Sequence, residues 1–387
     1  MDILIVGGTG VISYAVVNES LKHGYHVTCV NRGKSKNQTL PHEVEVIIAD
    51  YHDEALMRKK LHNRHYDVVI DVLCFTEKDI EYSVSLFKDV CEQYIFFSSC
   101  AVYNKGKGDY ECIEESPLVN PVWKYSVDKV ACEKKLLELV QTLHFHYTIV
   151  RPAVTYGNTR IPYGITPPYG YHGTLIKRIL HHKPIILWDN GDAYSTITRV
   201  EDFAIGLVGL FGNPKAMDQA FHIVGDERHK WKEVIDTLGD ILNESPVYFN
   251  ISKENFAKEM PMRKGEILGG RGISQMLDNT KLKKAVPGFK TTIPLREGLE
   301  MTVNYYKENN WLSGMDYSFD GDWDRIIAKY DHDYHPEFID YLGESNRENE
   351  IQYQKALKRN VKAIFLKSVL MNRIRQIKHN LIKCIKK

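Results

Sequence analysis

Tyr125 and Lys129 stand four residues apart in YSVDK, and Ser98 and Ser99 close the apolar run YIFFSS. On a helix, a spacing of four puts the phenol and the ammonium on one face, one turn apart. A cation there lowers the phenol's pKa, so the tyrosine can exchange a proton with an alcohol or sugar oxygen while a hydride moves at the carbon. A serine hydroxyl at the end of a strand can orient the same oxygen. A YxxxK pair alone is a common surface pair, and it gains weight here from a second feature. Gly7, Gly8 and Gly10, with Thr9 between them and Val11, Ile12 and Ser13 following, form a GxxGxxS frame between the apolar run DILIV and a helical stretch. Glycines at that junction let the backbone approach a dinucleotide pyrophosphate, which the N–H groups and dipole of the helix start stabilise.

Where the second strand ends, an acid usually holds the ribose of NAD. This chain reads Asn31, Arg32, Gly33, Lys34 instead. A guanidinium beside an ammonium suits a 2′-phosphate, which favours NADP over NAD as the cofactor; the bland alternative is a pair of solvated loop charges. Asp50 and Tyr51 end the third strand and, by position, meet the adenine.

The elements that must position these groups are visible as alternating patterns. Apolar, β-rich runs at 3–6, 26–30, 44–48, 68–72, 94–97 and 147–150 alternate with amphipathic helical stretches. That alternation predicts an α/β fold, a doubly wound parallel sheet with helices on both faces. The helix from about Tyr125 to Leu143 carries Val130, Leu136, Leu137 and Val140 toward the sheet. After Arg151 the pattern breaks into IPYGITPPYGYHG, a loop shaped for a ligand. Helical segments return at 174–181, 201–210 and 231–242. The division that results is a dinucleotide-binding domain over 1–165, completed by about 195–226, a substrate-binding region over 166–318, and a charged extension over 319–387.

With 387 residues, 43% of them hydrophobic and 26% charged, the chain can bury a large core. Its opening, MDILIVGGTG, starts with an acid and lacks a basic leader, so it reads as a buried strand rather than a signal peptide. No apolar run reaches the roughly 18 residues of a membrane span. The seven cysteines (Cys29, Cys74, Cys91, Cys100, Cys112, Cys132 and Cys384) contain no CxxC pair, which fits a reducing, cytoplasmic compartment. Asp331, His332, Asp333, Tyr334 and His335 hold metal-capable atoms, but adjacent residues seldom converge on one ion, so no metal is expected.

The segments VGGTGVIS, FFSSCAVY, YSVDK and VRPAVTYG resemble the NAD-dependent epimerase/dehydratase family of extended short-chain dehydrogenases, in order over about 1–315. The resemblance implies a Rossmann fold and hydride transfer with Tyr125 as acid/base. It makes Ser99 the catalytic hydroxyl and gives Lys129 the nicotinamide ribose as well. It places Cys74 and Pro152 by the cofactor and Tyr156 and Arg199 by the substrate, and it implies a homodimer. The implied reaction is epimerisation or ketone reduction of a sugar, a nucleotide-linked one, for polysaccharide or glycoconjugate synthesis. Cys100 and Ala101 stand where the family's 4,6-dehydratases place Asp and Glu, which argues against dehydration. Ser195 stands where nucleotide-sugar members often carry a diphosphate-binding arginine; Arg199, Lys177 or Arg178 is expected to substitute. NRG and DVVIDVLCF also resemble an atypical branch that includes chloroplast stem-loop RNA-binding proteins. An RNA-binding protein with little catalysis is therefore the alternative, although an acidic body argues against nucleic acid.

The net charge of +1 hides an asymmetry: 351–387 carries eleven Lys or Arg and no Asp or Glu, leaving 40 basic and 50 acidic groups before it. Leu370, Ile374, Ile377, Leu381 and Ile385 recur at spacings of three and four among those charges. A basic amphipathic helix of this kind is expected to lie on an anionic membrane surface, dock on the acidic body, or pair with a second tail.

Overall fold

The computed structural model of the chain describes residues 1–34, 38–103, 111–143, 145–309, 314–363, 365–367 and 370–371. β1 (Asp2–Val6), β2 (His26–Asn31), β3 (Glu45–Ile48), β4 (Tyr66–Asp71) and β5 (Cys91–Phe97) are joined by strands His146–Val150 and Gln219–Phe221 in one seven-stranded parallel sheet. Across the sheet the order is Gln219–Phe221, His146–Val150, β5, β4, β1, β2, β3. Strand order reverses between β1 and β4, and ligands of such sheets bind at that crevice, beyond the carboxyl ends of the strands.

Both faces are buried because successive strand residues point opposite ways. Ile3 and Ile5 of β1, Val68 and Ile70 of β4, and Ile95 and Phe97 of β5 pack under α1 (Val11–Lys22) and α6 (Val200–Val208). Leu4, Val6, Val69, Tyr94 and Phe96 pack under α2 (Glu54–Leu61), α3 (Glu77–Phe87) and α4 (Lys124–Val140) on the other side. α3 is started by a capping box between Thr76 and Asp79, and α2 by the Asp53 carboxylate accepting from the Leu56 N–H at 3.1 Å. On α4, Leu136 is buried against the sheet but Leu137 is 41% exposed, since one residue further along a helix turns about 100° away from the apolar face.

A second core gathers Trp188, Trp231, Ile235, Leu299, Trp323, Ile326 and Ile327. This corrects the charged extension expected over 319–387, part of which is core. Helix Tyr317–Tyr330 supplies Phe319, Trp323, Ile326 and Ile327 to that core, and helix Arg347–Leu357 buries Tyr353 and Ala356. The acids that suggested solvent are paired inside. Arg178 of α5 (Gly173–Leu180) donates to Asp320, and to Asp324 at 2.9 Å. Lys183 lies 2.8 Å from Asp320 and 2.5 Å from Asp324. Of the acidic and histidine cluster, His332 and His335 are exposed while Tyr334 turns inward to Asp324 at 2.9 Å. Among the described residues no helix is long and apolar enough to cross a membrane. Ile374, Ile377, Leu381 and Ile385 of the expected amphipathic helix lie outside the described residues.

Two buried imidazoles couple the fold to pH. His172 accepts the Ile161 N–H on Nδ1 at 3.0 Å, and His222 lies between Tyr103 Oη at 2.5 Å and the Asp278 carbonyl at 2.8 Å. Burial pushes them down from 6.5, to about 3 for His172 and about 4 for His222. The unfolded chain therefore takes up protons first as the pH falls below 6.5, so this stability is complete above 6.5 and is lost on the way down toward 4. Each unit of depression corresponds to about 1.4 kcal/mol. Thermal unfolding between pH 7 and pH 4 should show a falling midpoint, and a flat midpoint over that window would contradict neutral buried imidazoles.

Candidate active site

Beyond β1 the chain turns through Gly7, at φ 89°, and runs past Gly8, where an added Cβ would sit 2.4 Å from Cys29 Sγ of β2. Side chains are excluded there by the neighbouring strand. Ser13, in the place of a third glycine, ties the loop to the helix: its hydroxyl donates to the Gly7 carbonyl at 2.6 Å and accepts from the Gly10 N–H at 3.0 Å. α1 begins directly after Gly10, so the N–H groups of its first turn open toward the loop.

A cavity of about 1110 Å³ extends from this loop along the carboxyl ends of the strands. Gly7, Thr9, Gly10, Val11, Ile12 and Ser13 form one wall, with Asn31, Arg32, Lys34, Asp50 and Tyr51 at one end and Tyr125, Lys129 and Pro152 at the other. Arg32 and Lys34 are exposed at that rim, with no ion pair among the described residues. Tyr51 is held by its hydroxyl, which donates to the buried Asp71 at 2.5 Å; Ser83 donates to the same carboxylate oxygen at 2.6 Å. Gly8 and Cys74 do not border the cavity. The Cys74 thiol points into the interior, 3.2 Å from Asp71, and burial pushes it well above its ordinary pKa. Phe75 takes the place at the wall expected of Cys74.

Lys129 is 2% exposed, and its ammonium donates to the carbonyls of Cys74 at 2.5 Å and Phe97 at 2.7 Å, above the Phe75 ring at 4.7 Å. Burial lowers its pKa. The carbonyls of Cys74, just beyond β4, and Phe97, at the end of β5, thus fix the ammonium one turn from Tyr125, 5.9 Å from the centre of its ring. Tyr125 itself packs against Trp123 with ring centres 5.0 Å apart. Burial raises the phenol's pKa, while a hydrogen bond from Ser99 and the charges of Arg271 and Arg160 pull it down by less. The lowered phenol expected from the spacing to Lys129 is therefore not what this structure holds: desolvation outweighs the neighbouring charges.

The two serines separate by direction. Ser98 donates to Glu133, which receives Arg151 at 3.0 and 2.7 Å in a buried cluster. Ser99 turns toward Tyr125 and also caps the turn Cys100–Val102, accepting the Ala101 N–H at 3.1 Å. Ser98 borders the cavity, but its hydroxyl is committed to Glu133.

Tyr156 and Arg199 are not brought to the cavity. Both are buried, with the guanidinium 5.3 Å above the Tyr156 ring, and Arg199 spends its donors on Glu201 at 2.7 Å, the Gly298 carbonyl at 2.8 Å, Thr302 at 3.0 Å, and Asn158. Arg178 is likewise consumed by Asp320 and Asp324. A further cation that lines the cavity is Arg160, which was not among the expected site residues although it directly precedes IPYGITPPYGYHG. Among the described residues its guanidinium makes no hydrogen bond or ion pair. Burial and the repulsion of Arg271 push its pKa down to about 10. Arg271 is only loosely neutralised: its buried Nε lies 3.8 Å from Glu266 and makes no hydrogen bond among the described residues. Tyr169 of the loop also lines the cavity, its hydroxyl 2.7 Å from Thr159 Oγ1. The arrangement joins a buried phenol and a fixed ammonium to a crevice beyond the strand ends that is also lined by the Arg160 guanidinium, which has no partner among the described residues.

The sequence profile of the NAD dependent epimerase/dehydratase family matches residues 3–224, more than half of the chain. The chloroplast stem-loop binding protein of 41 kDa b of Arabidopsis thaliana is 25% identical over 348 residues, 84% of each chain. A putative UDP-glucose 4-epimerase of Methanocaldococcus jannaschii is 24% identical over 342 residues, 80% of this chain and 99% of that one. Among solved structures, the UDP-glucuronic acid 4-epimerase of Bacillus cereus with UDP-glucuronic acid and NAD superposes with a TM-score of 0.63 at 21% identity, covering 80% of this chain and all of that one.

Proposed function

The chain belongs to the NAD dependent epimerase/dehydratase family, and from that premise we propose that it is an epimerase or ketoreductase of a nucleotide-linked sugar. The observation that carries the proposal is one cavity in which Tyr125, Lys129 and the glycine loop share walls with the guanidinium of Arg160, unpaired among the described residues. Names of relatives support the substrate class: the archaeal relative is a putative UDP-glucose epimerase, and the Bacillus cereus structure carries a UDP-sugar and NAD.

A dinucleotide fits the residues present, since Gly8 admits no Cβ without a clash against Cys29 of β2, Gly7 turns at φ 89°, and the first turn of α1 borders the cavity. Gly7, Gly10, Val11 and Ile12 would hold its pyrophosphate, Asp50 and Tyr51 its adenine end, and Lys129 and Pro152 its nicotinamide end. When bound, the nicotinamide takes up and returns a hydride. The protein's part is to move the proton: Tyr125 keeps it on the phenol at neutral pH, Ser99 orients the phenol oxygen, and Lys129, held by two carbonyls, sets the charge behind it. Arg32 and Lys34 border the cavity and suit a 2′-phosphate, which extends the proposal to NADP. Arg160 and Arg271 would take the substrate's diphosphate. Cys100 and Ala101, following Ser99, supply no acid or base for elimination, so 4,6-dehydration stays outside the proposal. A homodimer through the exposed side of α4, where Val127 and Leu137 are unburied, belongs to it.

The test is to denature freshly purified protein, identify the released nucleotide by mass spectrometry, and incubate intact protein with UDP-sugars while following the products by NMR. Bound NAD with interconversion of C4 epimers marks an epimerase; NADP, or turnover only with added NADPH, marks a reductase. Arg160→Ala should raise KM for the nucleotide sugar on the order of 10- to 100-fold with a smaller effect on kcat, because one charge-assisted contact contributes roughly 1.5–3 kcal/mol. An unchanged KM would remove Arg160 from the substrate site.

A second reading, stem-loop binding with little catalysis, is favoured by the 84% coverage of the Arabidopsis relative. It requires salt-sensitive affinity for a nucleic-acid stem-loop and no turnover of any UDP-sugar.

A further inference from the structure

We propose that the basic segment beginning at Val361 docks the protein peripherally on an anionic lipid surface. The inference is independent of the catalytic reading and stands on a different part of the molecule. Up to Arg359 the chain is pinned to the body. Tyr353 and Ala356 are buried, and the backbone of Tyr353 passes so close to Gly321 that a Cβ there would lie 2.5 Å from its carbonyl oxygen. Arg359 closes the contact by donating to Asp322 and to Ser318 at 2.8 Å.

Beyond that clamp the burial ends abruptly. The backbone is helical at 361–363, 365–367 and 370–371, and Lys362, Ala363, Phe365, Leu366, Lys367, Leu370 and Met371 are all exposed. Four of these are large and apolar: Phe365 at 40%, Leu366 at 67%, Leu370 at 58% and Met371 at 44% exposure. At a spacing of four, Leu366 and Leu370 fall on one face of a helix. A segment folded back on its own domain would hide these side chains, and the described ones are exposed.

Charge identifies the occupant. Residues 361–387 carry eight Lys or Arg and no Asp or Glu. Basic groups interleaved with exposed leucine and phenylalanine match a surface that is anionic at the headgroups and apolar just beneath them. A phosphate backbone would use the same charges but gains nothing from the apolar side chains. The four exposed apolar residues therefore favour lipid over nucleic acid.

The experiment is flotation of the full chain with vesicles of phosphatidylcholine alone and of phosphatidylcholine with 30% phosphatidylglycerol, a composition set at roughly the anionic content that attracts polybasic segments. The expected result is binding to the anionic vesicles only, reduced at high salt, and lowered at least tenfold in Leu366→Asp/Leu370→Asp, whose thermal midpoint and turnover match the parent because both side chains are more than half exposed. Three outcomes overturn the proposal: no flotation with anionic vesicles, flotation unchanged in the double variant, or loss of binding to a stem-loop RNA or of self-association in that variant without any lipid binding.

Discussion

Tyr125→Phe is expected to lower turnover by on the order of 10²- to 10⁴-fold while leaving dinucleotide affinity unchanged. Only the phenolic oxygen is removed; the ring keeps its contact with Trp123 at 5.0 Å and its place one turn from Lys129. Burial raises the phenol, so the wild-type group is a protonated acid at neutral pH, and its deprotonation should appear as an alkaline limb of the rate profile. The variant should lack that limb. Single-turnover kinetics together with titration of the cofactor measure both effects, and turnover within a few-fold of the wild type would remove Tyr125 from the chemistry.

The second large effect is on stability. Arg178→Ala should destabilise the fold by about 3–5 kcal/mol, the usual consequence of removing one partner from a buried ionic cluster. Arg178, Asp320 and Asp324 are fully buried, and with the guanidinium gone the two carboxylates would share the single ammonium of Lys183. In the wild type, burial pushes Asp324 up, but Arg178 and Lys183 hold it below its ordinary value. Asp324's share is thus present above the unfolded-state pKa and is lost as the pH falls through the lower folded one. The penalty of Arg178→Ala should therefore shrink on acidification, as Asp324, no longer held down by the guanidinium, takes up a proton. Urea unfolding of both proteins at pH 7 and pH 5 measures it. A loss under 1 kcal/mol at pH 7 would mean that water reaches the cluster and that the last helices are loosely docked.

These helices also mark where reading the sequence stopped short. The run from Tyr317 to Tyr330 has an acidic surface character in one dimension, and only Phe319, Trp323, Ile326 and Ile327, read at helical spacing, hinted at a core face. Its acids are held by a guanidinium 142 residues earlier in the chain. The same difficulty separates Arg199 from Arg160. Both are arginines near strand ends, and what distinguishes them is that Glu201, Gly298 and Thr302 absorb the first while no partner meets the second among the described residues.

The sequence by itself determined the parallel sheet, the glycine loop, and the phenol and ammonium on one helical face. Each rests on local periodicity or on short-range backbone geometry, which a linear pattern carries in full. Tertiary structure alone decided which serine faces Tyr125, which arginine is left with charge to offer, that desolvation sets the phenol's pKa, and that the acidic helix is core. Those are properties of what surrounds a polar group, and the cost of burying a charge depends on partners that only the folded chain brings within reach.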